Sequence, residues 1–189
     1  MSTQTQTQTQ TQTQTQTDVA FLGGGCFWCL EAVYQQARGV ITVESGYMGG
    51  QLADPSHEDV RAGTSGHAEV VRLVHDPAVI SYRDLLEIFF TMHDPTTPDR
   101  QGNDVGPQYR SVIFTTTAQQ AAVARQVIAA MAGVWDAPIV TEVHPASTWY
   151  KAAPAHQDYC RQHPDQGYCA FVVAPKVMQF RQIFARHAN

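Results

Sequence analysis

Apolar residues recur along this chain in two periods, and each change of period marks a new element. Val19-Ala20-Phe21-Leu22 is a short continuous apolar run ended by Gly23-Gly24-Gly25, the pattern of a buried strand breaking into a turn. Leu30, Val33, Tyr34 and Ala37 then fall at i, i+3, i+4 and i+7, with Gly39 as the stop after Arg38. That spacing predicts an amphipathic helix over 26–38, with Cys26 in its first turn. Val40 to Val43 returns as a β-branched strand, and Ser45-Gly46-Tyr47-Met48-Gly49-Gly50 is expected to open a loop running to about Gly66.

Val70, Val71, Leu73 and Val74 place apolar side chains on both faces of a strand bounded by Asp76-Pro77, so this strand should be central, with Glu69 at its mouth. Tyr82, Leu85, Leu86 and Phe89 predict a helix over 81–92 capped by Ser81. Residues 94–109, rich in Pro, Gly, Asp, Asn and Gln, predict a long irregular segment of the kind that carries function. Arg110 to Thr115 reads as strand, Thr117-x-x-Gln120 as a capping box, and Ala124, Val127, Ile128 and Met131 as the inner stripe of a helix. Ile139 to Val143 follows as strand, and Val177, Phe180 and Phe184 predict a closing helix within Pro175 to His187.

This order of elements suits an α+β fold with a mostly antiparallel sheet, helices on one face and an irregular C-terminal segment; a ferredoxin-like plait is the expectation. Seven Thr-Gln pairs run from Thr3 to Gln16, and a tract so polar cannot offset its chain entropy by burial. Residues 1–17 are therefore expected to be a disordered tail, and 18–189 a single catalytic domain. The tail also lacks the basic and apolar regions of a secretory signal, and no apolar run approaches the roughly 20 residues of a membrane span. A soluble, cytoplasmic protein is expected, with no membrane partner.

Lys and Arg number 12 against 17 Asp and Glu, a formal net charge of −5 that gives no footprint for a nucleic-acid backbone. The 4 cysteines are too few for a secreted disulfide scaffold in 189 residues. Redox or metal chemistry in a reducing compartment fits them better. Cys26 follows three glycines at the start of a predicted helix, where orphan N–H groups and the macrodipole favour a thiolate. A reactive nucleophile follows from that placement, and Phe27 and Trp28 beside it could line an apolar pocket. Two other readings of Cys26-x-x-Cys29 stand beside it: half of a zinc site and a thioredoxin-like dithiol. Cys160 and Cys169 lie further apart than the roughly two to four residues usual for a zinc pair. His67, two residues from Glu69, has no paired spacing and reads as turn or core.

Gly25-Cys26-Phe27-Trp28, Ser45 to Gly50, Gly66-His67-Ala68-Glu69-Val70 and Gly102-Asn103-Asp104-Val105-Gly106-Pro107-Gln108-Tyr109-Arg110-Ser111 closely resemble the A-type peptide methionine sulfoxide reductases, over roughly residues 19–180. The resemblance implies that Cys26 attacks the sulfoxide sulfur while Glu69 supplies a proton to its oxygen. It implies that Tyr47 and Tyr109 hydrogen-bond that oxygen, that Asp104 organises the site, and that Phe27 and Trp28 hold the substrate methyl. A carboxyl at an apolar strand mouth suits the acid role, because burial raises its pKa. Cys26 would be left as a sulfenic acid for a second thiol to resolve. Gly167-Tyr168-Cys169 resembles the family's recycling segment, which favours Cys169, with Cys29 and Cys160 as the other candidates. The further implications are reduction of the S epimer, free and in proteins, recycling by thioredoxin, and no cofactor or metal. A monomer is expected.

Overall fold

A computed structural model describes residues 16–189; most of the expected 1–17 tail lies outside the described residues. The first apolar run forms β1 (Asp18–Gly23), followed by α1 (Phe27–Tyr34), β2 (Val40–Met48), α2 (His57–Arg61), β3 (Ala68–His75) and α3 (Tyr82–Met92). The irregular segment contains a small hairpin, β4 (Arg100–Gln101) with β5 (Asp104–Val105), and a 3₁₀ turn at Pro107–Tyr109. Then come β6 (Val112–Thr115), α4 (Ala118–Met131), β7 (Glu142–Pro145), β8 (Tyr150–Lys151), α5 (Tyr159–Gln162) and α6 (Ala174–Ile183), the last preceded by a π-helical turn at Cys169–Val173.

The main sheet has the order β7-β6-β1-β3-β2-β8, antiparallel throughout except for the parallel β6–β7 pair. Alternate residues serve two cores. Ala20, Leu22, Tyr47, Val71, Leu73 and Ile113 pack against Leu30, Val33, Leu86, Phe89, Val127 and Phe180 of the helices. On the opposite face Phe21, Met48, Val70, Val112 and Phe114 are covered by Ala146 and Trp149 from the β7–β8 connection. Burial on both faces explains why β1 and β3 read as continuous apolar runs rather than as alternating ones. The helices thus gather on one face of a mostly antiparallel sheet, as the element pattern predicts.

Four boundaries differ from the sequence reading. Helix α1 begins at Phe27, with Cys26 as its N-cap residue, and stops at Tyr34 rather than at Arg38. Strand β2 runs through Ser45-Gly46-Tyr47 to Met48, where a loop was expected. Gly46 provides close approach there and not flexibility: a Cβ on it would lie 2.5 Å from the Trp149 ring. Helix α2 interrupts the expected loop, and its capping box is intact, with Ser56 Oγ accepting from Asp59 N–H and Asp59 Oδ2 accepting from Ser56 N–H. Strand β7 begins at Glu142 and not Ile139, because Val140 N–H is drawn away to the Pro95 carbonyl at 2.8 Å. At α4 only half of the predicted box forms. Thr117 Oγ1 accepts from Gln120 N–H, while the Gln120 side chain accepts from Thr116 N–H and donates to Val19 O.

Candidate active site

Gly25 holds φ at +91°, and a Cβ there would lie 2.7 Å from Cβ of Gln101, so only glycine lets the chain turn from β1 into α1 beneath the β4–β5 hairpin. That turn delivers Cys26 to the open end of α1. The Glu69 carboxylate caps the same end, with Oε2 accepting from Phe27 N–H at 2.9 Å. Glu69 reaches α1 because it is directly opposite Tyr47 in the β2–β3 ladder, so both side chains rise from the sheet on the helix side. Cys26 is 9% exposed and Glu69 2%, so the thiol and the acid meet out of contact with bulk water.

Burial decides the electrostatics. It pushes the Glu69 carboxyl up to about 8, with the charge of Asp104 adding to the rise and the Phe27 N–H opposing it. The acid is therefore mostly protonated at neutral pH. For Cys26 the sequence reading expected the helix terminus to favour the thiolate; instead burial first, then the charge of Glu69, hold its pKa well above the ordinary thiol value, against a smaller lowering by the Trp28 N–H. The helix terminus does not outweigh the loss of hydration. Protonating Glu69 removes the nearest negative charge, so the state suited to proton donation is also the one that eases thiolate formation.

Tyr47 is 1% exposed, and its hydroxyl is buried without a hydrogen-bond partner. Tyr109 enters from the 3₁₀ turn, half-buried, its phenol pushed up to about 12 by burial and by the negative charges of Glu69 and Cys26. The same causes raise Tyr47, so both phenols remain donors at every physiological pH. Phe27 packs at 5.8 Å, centroid to centroid, on Tyr47 and at 6.1 Å on Trp28. Trp28 stacks on Tyr159 at 3.9 Å and donates its indole N–H to the His156 carbonyl.

The four cysteines divide into two pairs. Cys29 is buried one turn along α1, its Sγ 3.5 Å from the Tyr168 hydroxyl. Tyr168 also donates to Asp104 Oδ2 at 2.7 Å. A cavity of about 220 Å³ touches Cys26, Cys29, Asp104, Tyr168 and Lys176. Cys160 and Cys169, by contrast, are joined in a disulfide in a separate groove beside Ala32 of α1 and Gln35, which follows it. They bond to each other rather than completing a four-thiolate set with Cys26 and Cys29. Among the described residues no group of three or more His, Cys, Asp or Glu is placed to hold a metal, and no helix is long and apolar enough to cross a membrane.

Thus Cys26, Phe27, Trp28, Tyr47, Glu69, Tyr109 and Asp104 surround one site, while Cys160 and Cys169 stand apart from it. Sequence reasoning passed over His57, Glu31, His156 and Tyr159, which border or support the site. His57 lies 3.9 Å from Glu69 Oε1 and stacks on His156. Glu31, buried in α1, accepts from Asp158 N–H at 2.9 Å and so anchors the segment bearing His156 and Tyr159. Tyr168 was visible only as the neighbour of Cys169. For His57 a signal existed in Ser56-His57-Glu58-Asp59, whose S-x-x-D pattern marks the start of α2. His67, buried, braces the Gly50 loop through Gly50 N–H and the Leu52 carbonyl, in keeping with its reading as turn or core.

The sequence profile described as "Peptide methionine sulfoxide reductase" matches residues 18–188. The peptide methionine sulfoxide reductase MsrA of Ralstonia nicotianae is 57% identical over 174 residues, covering 89% of this chain and 91% of that one. Methionine sulfoxide reductase A of Corynebacterium diphtheriae superposes with a TM-score of 0.76 at 33% identity, over 84% of this chain and 80% of that one. The reduced form of Mxr1 from Saccharomyces cerevisiae gives 0.76 at 29% identity, over 81% and 89%. A buried thiol and a buried carboxyl at one helix terminus, carried on a matching fold and a matching sequence, place this chain in the family of peptide methionine sulfoxide reductases.

Proposed function

We propose that this enzyme reduces the S epimer of methionine sulfoxide, free and within proteins, by sulfenic acid chemistry at Cys26. The observation that carries the reading is the Tyr47 hydroxyl, buried beside Cys26 and Glu69 with no partner of its own. A buried donor without an acceptor is costly, and a sulfoxide oxygen would supply that acceptor. Cys26 gives its thiol proton to solvent and attacks the sulfoxide sulfur as the thiolate while the Glu69 proton passes to the oxygen, with Tyr47 and Tyr109 donating to it. Oxygen moves to Cys26, methionine departs two electrons richer, and Cys26 is left as a sulfenic acid. Phe27 and Trp28 hold the methyl group, and Asp104 fixes Tyr168.

A second thiol then attacks the sulfenic sulfur and water leaves. Cys169 is the resolving thiol in this reading; Cys29, one turn from Cys26 and in contact with Tyr168, is the alternative first partner. Cys160 then takes over the bond to Cys169, and the dithiol of thioredoxin reduces that disulfide with two electrons. No bound cofactor or metal enters the scheme. The order β6-β1-β3-β2 within the sheet suits a ferredoxin-like plait with β7 and β8 added at its edges. Residues 18–189 form one catalytic domain, acting as a cytoplasmic monomer in the repair of oxidised proteins.

The test is to incubate the reduced protein with each epimer of a blocked methionine sulfoxide, without recycling reductant, alongside Cys26→Ser. Methionine from the S epimer alone, lost in the variant, is the expected result. Methionine from the R epimer, or undiminished conversion by Cys26→Ser, would overturn the proposal.

A further inference from the structure

Glu69 loses a proton whenever it protonates an oxygen, and its burial leaves it poorly placed to regain one from bulk water. Oε2 is occupied by Phe27 N–H at 2.9 Å. Oε1 lies 3.9 Å from Nε2 of His57, whose side chain is 26% exposed against 2% for Glu69. The His57 imidazole therefore connects the buried acid to the surface. Its other nitrogen, Nδ1, faces the Glu58 carboxylate at 3.8 Å, and Glu58 is 72% exposed. The ring is held from two further elements: it stacks on His156 at 4.3 Å and packs near Phe27 of α1 at 6.5 Å. Burial and the charge of His57 hold His156 below the usual imidazole range, which disfavours charge on His156 itself. The Ser56–Asp59 capping box fixes the backbone of His57 without using its side chain.

We propose that His57 is the proton entry of this active site, recharging Glu69 from solvent between the two oxygen-handling steps. The inference rests on Glu69 acting as the acid. The first proton is spent on the sulfoxide oxygen; a second goes to that oxygen as it leaves Cys26 as water, the resolving thiol having given its own proton to solvent and attacking as thiolate. Between them the Nε2–H bond of imidazolium breaks, an O–H bond forms at Oε1, and the neutral imidazole regains its proton from water on the exposed side. No electrons are exchanged. Closing 3.9 Å to hydrogen-bond length requires a movement of about 1 Å, within reach of side-chain rotation. Histidine is the side chain suited to this exchange near neutral pH.

The experiment follows the Cys26 sulfenic acid in a single turnover of the full chain, trapped chemically at intervals after mixing with a blocked methionine sulfoxide. His57→Gln and His57→Phe are compared with the unsubstituted protein across an imidazole series at fixed pH and ionic strength. Decay of the sulfenic acid should slow by about tenfold to a hundredfold in both variants and be restored by imidazole. Decay within about twofold of normal in both variants would overturn the proposal, as would a loss that imidazole leaves untouched in variants of normal circular dichroism. Glu69→Gln, run beside them, separates the two ideas. A fully active Glu69→Gln would remove the acid itself, whereas an inactive one beside undisturbed His57 variants would remove only this route.

Discussion

Replacing Glu69 by Gln should make the protein more stable and nearly inactive, and both effects have one cause. In the unfolded chain the carboxyl titrates at its ordinary 4.5, whereas burial holds it up to about 8 in the fold. With the folded value raised, the folded state binds the proton more tightly; its stability is greatest below 4.5 and is lost as pH rises through the window from 4.5 to about 8. Each pH unit within that window costs about 1.4 kcal/mol, so at pH 7 the carboxyl costs the fold about 3 kcal/mol. Gln has no charge to bury and keeps an oxygen for the Phe27 N–H. Glu69→Gln should therefore gain up to about 3 kcal/mol at pH 7, roughly 6–12 °C in Tm for a chain of this size, and little at pH 4.5. Methionine formation should fall by about 10²- to 10⁴-fold, the usual worth of a general acid. In the unsubstituted enzyme that rate should decline as pH rises through about 8, since the protonated carboxyl is the active form. Thermal unfolding of both proteins by circular dichroism, at several pH values between 4.5 and 8, measures the difference. A Tm advantage that is absent, or that fails to grow with pH, would refute the assignment of a raised carboxyl.

Tyr47→Phe removes a buried hydroxyl that has no partner, so stability should stay level or rise by up to about 1 kcal/mol while methionine formation slows about tenfold; an unchanged rate would take Tyr47 out of oxygen binding. Cys160→Ser should lower thioredoxin-supported turnover by at least about tenfold, because Cys169 then lacks the partner that carries the disulfide outward. Normal turnover in that variant would put Cys160 off the route. Glu31→Ala strands the N–H groups of Asp158 and Tyr159 and should destabilise by about 1–3 kcal/mol, with faster hydrogen exchange concentrated in residues 156–163; uniform exchange across the chain would refute the anchoring role.

Much of the frame is legible in the chain because it depends on local rules. The apolar run before three glycines sets β1, the i, i+3, i+4 spacing sets the inner faces of α1 and α3, and Ser81 caps α3 as its sequence implies. The strand at Val70 to Val74 is central, as apolar residues on both faces require. The thiol at the head of α1 was also visible, as were, through the resemblance, the residues that the fold gathers about it.

Tertiary structure decided the rest, since it depends on distances between segments far apart in the chain. Gly46 looks like a loop residue until Trp149, more than a hundred positions later, fills the space beside it. No local pattern pairs Cys160 with Cys169 and leaves Cys26 and Cys29 as thiols; that partition follows from which side of α1 each segment packs on. The helix terminus at Cys26 argues for a low thiol pKa, yet desolvation by the surrounding core reverses the sign. His57 stands beside Glu69 only because the fold brings the start of α2 to the start of β3, an imidazole to a carboxyl twelve residues away. Sequence sets the elements and supplies the reacting groups, because propensity and periodicity act over a few residues. Protonation and partnership are set by burial, a property of the whole packed chain.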